Sequence, residues 1–224
     1  MAESAKTLVP KFFDETGTTY DGVVSYGTLG KDKYWKRKML EQISDGSSFL
    51  DLACGTGILT REIAEKFPNS KIVGIDITKS YLEVAKKNSS YFENISFILD
   101  DAEEFKLDSK FDCITASYLP KYCDPEILVK NCTTHLKPGG KIILHDFTYP
   151  KNLVVRGLWN LFLTSLRLVG CFIPSWKDAL IGLPKLIRRT KWLESYSDVM
   201  KKNGLSVNRQ YLTCGASAIL TGTK

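Results

Sequence analysis

Between residues 49 and 146, short apolar runs alternate with stretches of helical periodicity, and few architectures accommodate that order. Strands are predicted over residues 49–53, 71–77, 95–100, 111–117 and 141–147, with helices over 58–67, 79–88 and 125–136. Parallel strands joined through helices need right-handed crossovers, so the pattern predicts an α/β fold with helices on both faces of a parallel sheet. The turn Lys137-Pro138-Gly139-Gly140 is expected to stop the third helix and start the fifth strand. Beyond Pro150 two further helices are predicted, 153–171 and 191–203, with Pro174 and Pro184 breaking the stretch between them. Segments 206–213 and 216–221, split by Cys214-Gly215, read as an antiparallel hairpin on the sheet edge. The expected organisation is an N-terminal helical, substrate-side lid (residues 1–44) on one domain (45–224) with a helical insertion at about 151–190.

Charge is unevenly placed. Residues 1–150 carry 19 Lys and Arg against 22 Asp and Glu, whereas residues 151–224 carry 12 against 3, so the net charge of +6 belongs to the C-terminal third. Such asymmetry suits an anionic surface or, equally, a solvated basic face. In the same region residues 153–173 form the most apolar stretch of the chain, long enough to span a bilayer. Arg156 and Arg167, with Asn160 and Thr164 between them, fall on one helical stripe, and two arginines inside a single span are costly. A groove-covering or interfacial helix, or a core helix with one wet edge, fits better. The six cysteines form no CxxC and have no histidine at ligand spacing, so no zinc site is expected. The opening residues lack an apolar core of signal-peptide length, which leads to the expectation of a cytoplasmic protein, peripheral to a membrane at most.

Chemistry concentrates at the carboxyl ends of the predicted strands. Phe49 to Thr60 read FLDLACGTGILT, and Asp76 closes the second strand, KIVGID, 21 residues after Gly55. A Gly55-Thr56-Gly57 turn lets backbone approach a ligand at a helix N-terminus. The dinucleotide fingerprint G-x-G-x-x-G/A is an alternative, but Thr60 takes its third small position. Asp51 would repel a pyrophosphate, whereas it suits the ammonium of a methionine moiety, directly or through water. Asp76 is placed to accept ribose hydroxyls, and Asp100-Asp101-Ala102 offers an acceptor for an adenine amino group with space for its ring. Together these features point to S-adenosylmethionine.

The set D-x-A-C-G-T-G, G-I-D, D-D-A and L-K-P-G-G resembles the class I S-adenosylmethionine-dependent methyltransferases over roughly residues 45–150. More narrowly, the chain resembles the ubiquinone/menaquinone biosynthesis C-methyltransferases. Phe13-Asp14, Tyr20-Asp21 and Tyr34-Trp35-Lys36-Arg37 match their N-terminal element. LHDFTYP (Leu144 to Pro150), Leu212-Thr213-Cys214-Gly215 and Leu220-Thr221-Gly222 match later ones. The resemblance implies a Rossmann-like, mostly parallel seven-stranded sheet ending in an antiparallel hairpin, and S-adenosylmethionine held by Asp51, Ala53, Gly55, Thr56, Gly57, Asp76, Ile77, Asp101, Ala102 and Ser117. The chain departs from the family in having Ile58 where Asp usually follows G-T-G. It also has Tyr118-Leu119-Pro120-Lys121-Tyr122 in place of F-G-[IL]-R-N, so Lys121 stands for an arginine without its fork.

The resemblance implies methyl transfer to a small lipophilic acceptor, a ring carbon of a prenylated quinol. That chemistry needs in-line positioning, exclusion of water and a more electron-rich ring. Tyr20, Lys121 and Asp146 are the catalytic candidates, with Tyr122 and His145 also polar near the predicted crevice; no metal is required. A prenylated acceptor would account for the apolar stretch after Pro150, with Arg188, Arg189 and Lys191 touching anionic lipid. Other small-molecule, lipid or RNA acceptors remain alternatives, as does a non-catalytic cofactor-binding partner module. Nucleic acid is not expected, because no basic-aromatic cluster resembles an RNA module. The oligomeric state is open.

Overall fold

The computed structural model describes residues 8–13 and 16–224, with residues 10 and 11 by backbone alone. Asp14 of the N-terminal motif lies outside them. Three helices open the described chain: α1 (Leu8–Phe13), α2 (Tyr20–Gly27) and α3 (Lys31–Leu40). The alternating segment then folds as expected from its two periods. Strands β1 (Ser48–Leu52), β2 (Lys71–Asp76), β3 (Ile95–Leu99) and β4 (Phe111–Ser117) are parallel, with α4 (Ile58–Lys66) and α5 (Lys79–Asn88) between the first three. Helix α6 (Pro125–His135) begins where Asp124 accepts from the Glu126 and Ile127 amides and Pro125 presets the first turn.

Strand β5 (Leu136–Phe147) differs from expectation, because it reaches back through the Lys137-Pro138-Gly139-Gly140 turn. Leu136 pairs with Phe111, and the register shifts before Cys113 meets Lys141. The irregularity takes up the turn inside the strand instead of ending it. Two strands, β6 (Ser206–Leu212) and β7 (Ser217–Thr223), complete the sheet in the order β3-β2-β1-β4-β5-β7-β6, with both pairings of β7 antiparallel. This is the seven-stranded, mostly parallel α/β arrangement.

Alternation along the strands loads both faces. Leu50, Ile114, Leu144 and Leu220 face one core with α6 and α9 (Trp192–Lys202). Phe49, Cys113, Ile143 and Ile219 face a second core with α3 and α4. Strands buried on both faces carry continuous apolar runs, as these do.

The insertion departs further from expectation. Helix α7 (Leu153–Gly170) is capped by Asn152, whose side chain accepts from the Val154 and Val155 amides. A 3₁₀ turn at Pro174–Trp176 leads into α8 (Lys177–Arg189), which holds Pro184 in its interior. An interior proline costs about 3 kcal/mol. Ala179, Leu180, Pro184 and Ile187 are buried at helical spacing, and that burial outweighs the local cost. With α1 and α2, these two helices form a third apolar cluster around Phe12, Leu163, Leu166 and Trp176.

Candidate active site

Strand order changes direction between β1 and β4: β1 leads outward through β2 to β3, and β4 leads the other way to β5. Crevices at such switch points are where parallel sheets bind ligands. A cavity of about 170 Å³ lies here. Its sheet-side lining includes Ala53, Gly55, Asp76, Ile77, Asp101, Ala102 and Ser117, seven of the ten expected cofactor residues.

The turn after β1 is tightly built. Ala53, Gly55 and Gly57 all have positive φ (51°, 56° and 78°), and the Cys54 amide donates to Ile75 O at 3.0 Å. Asp76 accepts from the Gly55 amide (2.8 Å) on one oxygen and from the Thr78 amide (2.8 Å) on the other. Each oxygen keeps a lone pair for a ligand hydroxyl. Burial raises the Asp76 carboxyl above the usual range, and the amide bonds pull it back. Asp100 accepts from the Asp101 amide and Asp101 from the Glu103 amide, so both carboxylates are oriented at the cavity wall. An acid at the end of β2, an acid pair beside a small residue, and apolar walls at Ala53, Ile77 and Ala102 fit an adenosine.

Three expected cofactor residues lie behind this wall. Asp51 is 1% exposed, with one oxygen accepting from Thr60 Oγ1 (2.7 Å) and the other from Thr115 Oγ1 (2.8 Å). The residue that spoils the dinucleotide fingerprint is thus the one that holds Asp51. Thr56 donates through Oγ1 to Asp21 of α2 (2.6 Å) and accepts on its carbonyl from Arg61. Gly57 starts α4, and a Cβ there would meet Ala85 and Phe97 at 3.3 Å.

The catalytic candidates separate. Lys121 is buried: its Nζ donates to Asp146 (3.0 Å) and to Tyr118 O. Burial lowers the Lys121 ammonium and raises the Asp146 carboxyl, while their attraction opposes both shifts. Asp146 is fully enclosed and also accepts from the Lys121 and Phe147 amides. Lys121 still lines the cavity, its ammonium 4.4 Å from the Tyr122 ring centre. His145 sits between Ser117 Oγ (2.9 Å) and Ser217 Oγ (2.7 Å), and burial keeps it neutral. An imidazolium there would stand unpaired beside Lys36 and Lys121, so His145 is a structural tie.

Tyr20 lines the cavity between Tyr81 (centroids 4.9 Å) and Trp176 (6.1 Å, stacked). Burial drives its phenol well above its ordinary range. The N-terminal helices are latched across the crevice by Thr16 to Tyr81 (2.6 Å), Trp176 Nε1 to Thr19 (2.9 Å) and the Thr56–Asp21 bond.

Sequence reasoning missed the far half of the cavity. Phe13, Val23, Leu166, Trp176, Leu180 and Leu183 line it, contributed by α1, α2, α7, α8 and the 3₁₀ turn. Tyr122, expected as a polar residue near the crevice, projects there with a hydroxyl that is buried and without a partner among the described residues, whereas the apolar lining was not expected. No local motif marks these positions; only the mixed apolar and aromatic spacing of residues 9–24 and 159–183 hints at them. Among the described residues no group of three or more His, Cys, Asp or Glu is arranged to hold a metal.

A family profile described as Methyltransferase domain matches residues 43–166. The chain belongs to that family and is a class I S-adenosylmethionine-dependent methyltransferase, with S-adenosylmethionine as its cofactor. Among its relatives is the ubiquinone/menaquinone biosynthesis C-methyltransferase of Hahella chejuensis, 29% identical over 96% of this chain and 91% of that one. The demethylmenaquinone methyltransferase of Chlorobaculum tepidum is 28% identical over 90% and 89%. Among solved structures, the complex of Haloferax volcanii Trm112 activator with a methyltransferase matches with a TM-score of 0.67 at 15% identity, covering 94% of this chain and 96% of that one. The plantazolicin methyltransferase, in complex with SAH, matches with 0.65 at 13%, covering 98% and 95%. At such identities the structural likeness concerns the fold.

Proposed function

We propose that this enzyme methylates a ring carbon of a prenylated quinol. The observation that carries the reading is the cavity itself, acid-lined at the sheet and apolar beneath α7 and α8. A ligand with a polar aromatic head and a hydrocarbon tail matches both halves, and the relatives' names agree with it. Such acceptors reside in bilayers, so the enzyme is expected to work at a membrane surface.

When bound, S-adenosylmethionine supplies an electrophilic methyl group on a sulfonium. Asp76 would hold its ribose hydroxyls and Asp101 its adenine amino group, and Ala53, Ile77 and Ala102 would pack against the ring. Gly55 and Ser117 border the methionine end, while Asp51, Thr56 and Gly57 hold the shape of the turn from behind. At the acceptor, Tyr122 would donate its unused hydroxyl hydrogen to the oxygen of a quinol that enters as its phenolate, its proton left in solvent, so that the neighbouring carbon is nucleophilic. Transfer of the methyl would leave S-adenosylhomocysteine, and the ring carbon's own proton would pass to solvent as the product leaves and regains aromaticity. Lys121, cationic and paired with Asp146, contributes charge next to Tyr122 and does not serve as the base. Tyr20 and Trp176 close the chamber against water.

The test incubates the purified chain with methyl-labelled cofactor and, separately, a reduced demethylmenaquinone, bulk RNA and small amines. A product heavier by one methyl only in the quinol reaction is expected. Transfer to RNA or amines alone would reassign the acceptor, and no transfer with intact cofactor binding would leave a binding module.

A further inference from the structure

Helix α7 was expected to cover a groove, to lie at an interface or to pack in the core with one wet edge, and its most exposed face is apolar. Val154 (73% exposed), Leu158 (65%), Leu161 (69%) and Leu168 (63%) recur at intervals of three, four and seven, and Phe172 (85%) continues the line past the helix end. Only Ser165 interrupts it. The buried face is narrower: Leu163, Leu166 and Gly170 pack inward, and a Cβ on Gly170 would stand 2.8 Å from Leu180 of α8. Contiguous exposed apolar surface of this kind marks an interaction site.

Charge identifies what covers it. Residues 151–191 hold eight lysines and arginines against one acid, Asp178. Arg156 and Arg167 lie on α7 itself, on the stripe beside its packed face, and the Arg188 guanidinium donates from α8 to Asn160 of that stripe (3.1 Å), so the basic end of α8 adds to the same cationic region. A second copy of the chain seated here would oppose these cations with its own. An anionic bilayer offers hydrocarbon to the apolar face and phosphate to the cations. Among the described residues α7 alone is long and apolar enough to cross a membrane, but it is packed on one side by α8 and carries two arginines, which disfavours a span.

We propose that the Val154–Leu158–Leu161–Leu168–Phe172 face of α7 and its exit loop is a docking surface for anionic lipid bilayers. Leu166 on the opposite side of the same helix lines the cavity, so docking sets the apolar chamber one helix away from the lipid. The surface does not depend on the identity of the methyl acceptor.

The test is co-sedimentation of the full chain with vesicles of phosphatidylcholine plus phosphatidylglycerol, and with phosphatidylcholine alone. Binding to the anionic vesicles is expected, weakening with salt and with removal of the anionic lipid. Leu158→Ser/Leu161→Ser/Leu168→Ser should abolish it while the melting temperature and cofactor affinity stay at wild-type values. Phe172→Ser, outside the helix, should weaken it by roughly tenfold. No wild-type binding, binding indifferent to lipid charge, or a triple variant that sediments like wild type would each overturn the proposal. So would lipid-free self-association abolished by the triple variant without any vesicle binding, which would make the covering partner a second copy.

Discussion

Replacing Asp51 with Asn should stabilise the protein at neutral pH by an amount that grows across a defined pH window. The carboxylate is buried and accepts two hydroxyl hydrogens, from Thr60 and Thr115. Burial raises its pKa from 3.8 to about 6, against the two hydrogen bonds and the charge of Lys36. In the unfolded chain the proton is released near its ordinary value, so between about pH 4 and pH 6 the folded state holds a proton that the unfolded state has lost. Stability associated with this group is complete below about pH 4 and falls as pH rises through about 6. At about 1.4 kcal/mol per tenfold change in proton affinity, the loss amounts to about 3 kcal/mol. Asparagine carries no charge to desolvate and offers a carbonyl acceptor and an amide with two N–H donors. The displaced Thr115 hydroxyl can turn to Leu50 O, 3.4 Å away. Urea unfolding of both proteins from about pH 4 to about pH 8 should show near-equal stability at the acid end and an Asn advantage approaching about 3 kcal/mol at the other. A pH-independent difference, or a less stable Asn variant at neutral pH, would refute the reasoning. Cofactor affinity should change far less than in an Asp76 variant, because Asp51 lies behind the cavity wall.

Asp76→Ala should weaken S-adenosylmethionine binding by roughly ten- to a hundredfold, the worth of hydrogen bonds to a charged acceptor, measured by titration calorimetry. Lys121→Met leaves Asp146 buried without its counter-ion and should cost about 3–5 kcal/mol of stability, whereas adding Asp146→Leu should recover much of it. A fully stable Lys121→Met would refute the structural reading of the pair. Tyr122→Phe should leave the melting temperature equal or higher, since it removes an unpartnered buried hydroxyl. It should lower turnover of a quinol acceptor by roughly tenfold or more with cofactor affinity unchanged; unchanged turnover would remove Tyr122 from the acceptor site.

Legibility in the sequence followed the range of the interactions. Strand and helix periods along residues 48–147 are local, and the first four strands and three crossover helices fell within a residue or so of expectation. The carboxyl ends of β1 to β4 inherit their meeting point from topology alone, so Asp76, Asp101 and Ala102 were legible as neighbours. Which way a side chain turns at such an end is not local. Asp51 was read towards the ligand because Thr115, 64 residues later, is invisible as its partner. The ion pair of Lys121 was not legible because Asp146 lies 25 residues further along. Pro184 reads as a breaker in isolation, and only the burial on its helix face reverses that. The apolar chamber comes from five separate segments, and no single stretch could announce it.

The N-terminal helix α3 is joined to the last part of the chain. Trp35 donates to Thr213, 178 residues away, and Gln42 binds both Gln210 and Thr221. During synthesis α3 therefore emerges long before the side chains that complete its packing. Its final seating waits until the C-terminal hairpin has left the ribosome, and long loop closures of this kind slow folding. A chain released without its last two strands would leave the indole of Trp35 unpaired and one core face open. Completion of the C-terminal hairpin is thus the event that allows the N-terminal helix to reach its native place.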